Sequence, residues 1–140
     1  MLYKENSLQY ADYFSLRQCI GWDNLSQEQT IQALKKSLYD IVAIDKERVI
    51  GMGRLIGDGL YYIIADVIVI PEYQGKGIGS ELIKRIVDYA DRQTPAGSRA
   101  SIQLIAAKGK EPFYEKMGFK QLPNEHCGAG MRKIIHKEKG

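Results

Sequence analysis

The sequence has little with which to build a metal cluster or a disulfide framework. Two cysteines, Cys19 and Cys127, and two histidines, His126 and His136, are spread through 140 residues, too few and too scattered for either. His126-Cys127 offers two neighbouring donors at most, so no metal is expected, and Cys19 is expected to pack within a helix. No apolar run approaches the roughly 18–20 residues of a membrane span, and Met1-Leu2-Tyr3-Lys4-Glu5 has no secretory hydrophobic region. A soluble cytoplasmic protein without a membrane partner is the expectation. Charge of one sign is also lacking: 20 Lys and Arg stand against 17 Asp and Glu, a net charge of +3. The basic residues of the central segment alternate with acidic ones, Glu81/Arg85 and Lys84/Asp88 forming i,i+4 pairs, which describes a solvated helix face and not a nucleic-acid stripe. Repeats and low-complexity linkers are absent, so residues 1–140 are expected to form a single domain around one core.

What is present is a glycine loop between a strand pattern and a helix pattern. Val67-Ile68-Val69-Ile70 precedes Pro71-Glu72-Tyr73-Gln74-Gly75-Lys76-Gly77-Ile78-Gly79-Ser80, after which Ile78, Leu82, Ile83, Ile86, Val87 and Ala90 recur at spacings of three and four. Gly75, Gly77 and Gly79 leave no side chains over the first helical turn, so several amide N–H groups are free to meet an anion at the positive end of the helix. A phosphate or diphosphate is the natural guest, and Lys76 adds a mobile full charge. The spacing fits neither a Walker A loop, in which the lysine is followed by Ser or Thr, nor the Gly-x-Gly-x-x-Gly of dinucleotide folds. An ordinary glycine-rich connection is the remaining alternative for the loop taken by itself.

Along the chain, residues 2–4 read as a short strand and Ser7–Cys19 as a helix with Tyr10, Phe14 and Leu16 on its buried side. A second helix is expected over about 27–38, capped by Ser26 with Gln29 at N3 and buried through Ile31, Leu34 and Leu38. Strands follow at 41–44, 49–55 and 60–70 as an antiparallel meander. Gly51 and Gly53 inside the second of these suggest a bulge or a close neighbour. The central helix runs over about 77–92. A strand at 101–105, parallel to 60–70, a short helix at 111–117, and closing strands Phe119–Leu122 and Met131–Ile135 complete the order.

That order, with the glycine loop after the fourth strand, resembles the GNAT superfamily of acyl-CoA-dependent N-acyltransferases. Two segments carry the resemblance: the loop, matching the family's Gln/Arg-x-x-Gly-x-Gly/Ala at Gln74, Gly77 and Gly79, and Pro112-Phe113-Tyr114-Glu115-Lys116-Met117-Gly118-Phe119, similar to the aromatic-Tyr-Glu-Lys-x-Gly-Phe segment of many members. The implied fold is α+β, a mixed central sheet splayed between its fourth and fifth strands and flanked by helices. The implied co-substrate is acetyl-CoA, without a metal. Its diphosphate would sit on Gln74, Gly75, Lys76, Gly77, Ile78, Gly79 and Ser80, its pantetheine arm along Ile68, Val69 and Ile70, with Phe113 also at the coenzyme. The implied activity is acetyl transfer to a primary amine of a small molecule by direct attack in a ternary complex. Protein or peptide acetylation and a non-catalytic acyl-CoA-binding sensor are the alternatives, and homodimers occur among members.

Such a transfer needs a donor for the carbonyl oxygen, a proton for the departing thiolate and a neutral amine. The backbone N–H of Ile68 is the candidate oxyanion donor, and Tyr114, a phenol with a reference pKa near 10, the candidate acid. Read without the motif, Tyr114 is a packing aromatic. No Glu lies between Gly53 and Pro71, where histone-type members carry their base. Asp66 is the nearest carboxylate and the candidate base; a water chain to Asp66, Tyr61 or Tyr62 and an amine that enters already neutral are the alternatives. Trp22, Tyr61 and Tyr62 are expected at the acceptor pocket, with one of the two tyrosines facing the cleft and the other packing away.

Overall fold

The computed structural model describes residues 1–139. These form two compact units, one from Met1 to Ile105 and one from Ala106 onward. The first contains a five-stranded sheet in the order β1-β2-β3-β4-β5, with β1 at Leu2–Glu5, β2 at Tyr39–Asp45, β3 at Arg48–Gly57, β4 at Tyr61–Val69 and β5 at Ser101–Gln103. Helices α1 (Tyr10–Cys19), α2 (Gln27–Lys35) and α3 (Ile78–Gln93) flank it, and a 3-10 turn at Pro71–Tyr73 leads from β4 toward α3. The first four strands are antiparallel neighbours, while β4 and β5 run parallel, as the α+β expectation for a mixed sheet requires.

Helix α3 buries Ile78, Leu82, Ile83, Ile86 and Ala90, nearly the apolar stripe its periodicity anticipates; Val87 is half-buried. Helix α2 starts where expected, the Ser26 hydroxyl accepting from the Gln29 N–H at 3.2 Å. It ends at Lys35, earlier than the pattern suggests, because the chain turns there and the Leu38 N–H joins the sheet through the Leu55 carbonyl at 2.8 Å. Leu38 is consequently exposed and Thr30 is the buried residue of the helix. In α1 the buried residues are Tyr13 and Leu16, so the helix is rotated from the Tyr10/Phe14 expectation, and Cys19 is exposed.

The β3–β4 register carries the feature that shapes the site. Met52 pairs with Ile68 and Arg54 with Ala65, so Gly53 alone faces both Asp66 and Val67. This is a β-bulge, and Asp66 takes the left-handed conformation there, with φ 57°. A Cβ on Gly53 would lie 2.9 Å from Ile86 Cδ1 and 3.5 Å from Val67 Cγ2, which is the close approach that keeps this strand position a glycine. Among the described residues β4 has no strand partner on its other side beyond the bulge: β5 pairs with Tyr61, Tyr62 and Ile63. The sheet is therefore open along Ile64–Val69.

The second unit holds α4 (Glu111–Glu115). The expected closing strands Phe119–Leu122 and Met131–Ile135 do not form, and a single antiparallel bridge between Asn124 and Cys127 stands in their place. The Asn124 side chain accepts from the amides of His126 and Cys127 at 2.8 and 2.9 Å, closing a tight Asx-type turn. The flanking segments gain no ladder from it. With no ladder to take their backbone groups these segments are left to water, and Ile134 and Ile135 are exposed.

Candidate active site

The loop after β4 presents a run of unclaimed donors. Among the described residues, no amide from Gly75 to Ser80 donates a backbone or side-chain hydrogen bond; the first helical bond of α3 is from the Glu81 N–H to the Gly77 carbonyl at 3.1 Å. Gly75 and Gly77 reach this geometry through φ of 79° and 82°, which place successive N–H groups on one concave side. No side chain caps the helix. The arrangement suits a diphosphate: six amides, a helix terminus and the Lys76 ammonium. In this structure that ammonium lies over the Tyr73 ring, 5.3 Å from its centroid, and the Tyr73 hydroxyl donates to Asp45. That bond, together with the Arg48–Glu72 contact at 3.7 Å, ties the loop to the β2–β3 turn.

Strand β4 supplies the second component. The Ile70 N–H donates to the Ile50 carbonyl at 3.0 Å, so antiparallel alternation commits the Ile68 N–H to Met52 and turns the backbone of Val69 away from β3. The Val69 carbonyl accepts from Gln74 Nε2 at 2.9 Å, which agrees with that orientation. The amides on the open side are those of Val69 and, one period earlier, Val67. Ile68, expected as the oxyanion donor, spends its N–H in the ladder, and its side chain is buried. Val67 is the open-side amide that the sequence reading did not single out. Counting by two from Val69 finds it, once the ladder's phase is known.

Asp66, expected as the base, sits in an ionic network. Oδ1 accepts from Arg17 Nη1 at 2.8 Å; Oδ2 accepts from Arg54 Nε at 2.8 Å and from the Tyr13 hydroxyl at 2.9 Å. The carboxylate thus serves two guanidiniums and a phenol, which removes the reason for assigning it the proton from an amine. Burial beside this carboxylate raises the Tyr13 phenol above its ordinary range. Arg17 also donates to the Asp23 carbonyl and lies over the Trp22 ring at 5.4 Å. The sequence offered no signal for Arg17 or Arg54 as partners of Asp66.

Trp22 is 38% exposed, on the connection from α1 to α2, and Tyr61 is 62% exposed on β4; Tyr62, expected with them, is 2% exposed and belongs to the core. Strand alternation separates the two tyrosines. In the second unit Tyr114 makes edge-to-face contacts with Phe113 and Phe119, centroids 5.0 and 6.0 Å away, and burial raises its phenol above the ordinary value. Ile68–Ile70, Gln74–Ser80, Asp66, Trp22 and Tyr61 belong to the first unit; Phe113 and Tyr114 belong to the second. Among the described residues no three His, Cys, Asp or Glu side chains are grouped as metal ligands would be.

Comparison with known proteins gives a consistent picture. Residues 11–136 match the model of an acetyltransferase (GNAT) domain. A probable acetyltransferase of meticillin-resistant Staphylococcus aureus superposes with a TM-score of 0.81 at 31% identity, covering 96% of this chain and 100% of that one. A GNAT-family acetyltransferase of Streptococcus pneumoniae gives 0.79 at 33% identity, covering 97% and 98%. An uncharacterised N-acetyltransferase of Pyropia yezoensis is 29% identical over 110 residues, which is 75% of this chain and 61% of the relative's length.

Proposed function

The chain belongs to the GNAT acetyltransferase family, and from that premise we propose that it moves an acetyl group from acetyl-CoA to the primary amine of a small molecule, by direct attack within a ternary complex. The observation that carries the proposal is the run of six unclaimed amides from Gly75 to Ser80, beside a half-strand with no partner on its open side. The amides bind the coenzyme's diphosphate, and Lys76 leaves the Tyr73 ring to join them. The open backbone of Val69 pairs with an extended chain of amides, as an added strand would. The coenzyme supplies the activated acetyl group; the protein supplies its placement.

The Val67 N–H is the donor for the thioester oxygen as it gains charge, fixed before reaction by the bulge. Tyr114, named by its motif, gives its proton to the sulfur as the carbon–sulfur bond breaks. The amine attacks in its neutral form and loses its proton to solvent. Phe113 lines the coenzyme side, and Trp22 and Tyr61 the acceptor side. The domain acts as one unit of function, in the cytoplasm.

Curated relatives differ in acceptor: one from Oryza sativa is named a serotonin N-acetyltransferase and one from Glycine max a histone acetyltransferase. The absence of a Glu between Gly53 and Pro71 favours a small amine over a protein lysine. The test is thiol release on mixing the protein with acetyl-CoA and a panel of polyamines, amino sugars and arylalkylamines. Thiol release with at least one amine supports transfer, whereas coenzyme binding without thiol release in the presence of any acceptor indicates a sensor. Tyr114→Phe is expected to lower kcat by about 100-fold or more with coenzyme affinity retained; unchanged turnover would leave the ring with a packing role alone.

A further inference from the structure

Asp66 stands at the bulge of β4 with two arginines reaching it from different elements: Arg54 from β3 and Arg17 from α1. All three side chains are only 12–13% exposed. The network carries no spare charge that would call for an anionic ligand. Arg54 faces Asp40 across the β2–β3 ladder, and Asp40 accepts from the amides of Ser7 and Leu8, so two arginines are matched by two carboxylates. What the network does have is reach. Arg17 extends beyond Asp66 to the Asp23 carbonyl and the face of Trp22, and the Trp22 N–H returns to the Arg17 carbonyl at 2.9 Å. The connection between α1 and α2 is in no ladder. Besides the Gly21 N–H bond to the Gln18 carbonyl and the Asn24 bond to the Phe14 carbonyl, the bonds that hold its Ile20–Asp23 stretch are made by Arg17.

On the premise of the acetyl-transfer reading, we infer that Asp66 and Arg17 are a pair of positioning residues, which holds the Trp22 wall of the acceptor side at a set distance from the bulge that aims the Val67 amide. A guanidinium is needed for this. Its planar fork serves the carboxylate, the Asp23 carbonyl and the indole face together, and a lysine ammonium, a single point of charge, cannot. The position of Asp66 in turn calls for a residue that accepts a left-handed φ and carries an acceptor, which favours Asp or Asn. Only Asp offers acceptors to both arginines.

Trp22 is the chain's single tryptophan, so its emission reports on the wall without any turnover. In the full chain, with folding checked by circular dichroism, Arg17→Lys is expected to increase acrylamide quenching of Trp22. It is also expected to raise KM for the best amine of the panel about tenfold, while KM for acetyl-CoA stays within about twofold. Asp66→Asn, which keeps shape and backbone preference, is expected to give the same two changes, and if it fails to fold Arg17→Lys decides alone. Unchanged quenching in folded Arg17→Lys overturns the inference, as does a parallel rise of both KM values. Should the wild-type protein release no thiol with any amine, the transfer reading fails on its own, and the quenching measurement still decides whether the pair holds Trp22.

Discussion

The two faces of the sheet at the bulge are built from opposite chemistry, although adjacent residues supply them. Gly53 and Val67 look toward α3, where Ile86 stands so close that a Cβ on Gly53 would lie 2.9 Å from its Cδ1. Arg54 and Asp66 look toward α1, where the neighbours are Arg17 and Tyr13. The apolar face gains stability from area removed from water, a non-directional effect that tolerates small shifts. The ionic face gains little net stability, because desolvating its charges offsets their attraction, but its directional bonds fix side chains in one arrangement. Stability is drawn from one side and placement from the other.

Variants on each face break or sharpen that contrast. The largest effect is expected for Asp66→Ala, which leaves two part-buried guanidiniums without their carboxylate and an alanine at φ 57°. A loss of about 3–5 kcal/mol in urea unfolding is expected, together with the loss of acceptor selectivity. Ile86→Ala on the opposite face is expected to cost about 2–4 kcal/mol while thiol release per folded molecule stays near wild type. Equal damage to turnover from both would erase the distinction between the faces.

Gly53→Ala is expected to cost about 1 kcal/mol, since the new Cβ meets Ile86 Cδ1 at 2.9 Å. Paired with Ile86→Val, which removes that atom, most of the cost should vanish, and a non-additive double-mutant cycle is the check. A pH series separates the faces by ionisation. The phenols of Tyr13, Tyr39 and Tyr114 are all raised, in each case chiefly by burial. The unfolded chain releases these protons near pH 10 and the folded chain only at higher pH, so stability is whole below about 10 and falls as pH rises through the folded values. Tyr13→Phe should reduce that slope in urea midpoints taken at pH 9 and 11. The smallest change, within about 0.5 kcal/mol, is expected for Lys84→Ala, whose bond to Asp88 on the outer side of α3 is exposed.

The sequence alone made legible whatever depends on neighbours in the chain. The α3 stripe, the Ser26 cap and the glycine loop with its family resemblance all follow from spacings of a few residues, and the structure retains each. Glycine at 53 was readable as a bulge or a close approach, and it is both. Sequence could not show that Arg17 and Arg54 meet Asp66, 49 and 12 positions away, or that the ladder's phase turns the Ile68 amide toward β3 and the Val67 amide to the open side. Nor could it show that Phe119–Leu122 and Met131–Ile135 would lack partners. Local geometry is a property of dihedrals and periodicity and is written residue by residue. Which side chain meets which, and which amide is left free, depends on pairing between distant segments, and that is decided only when the chain has packed.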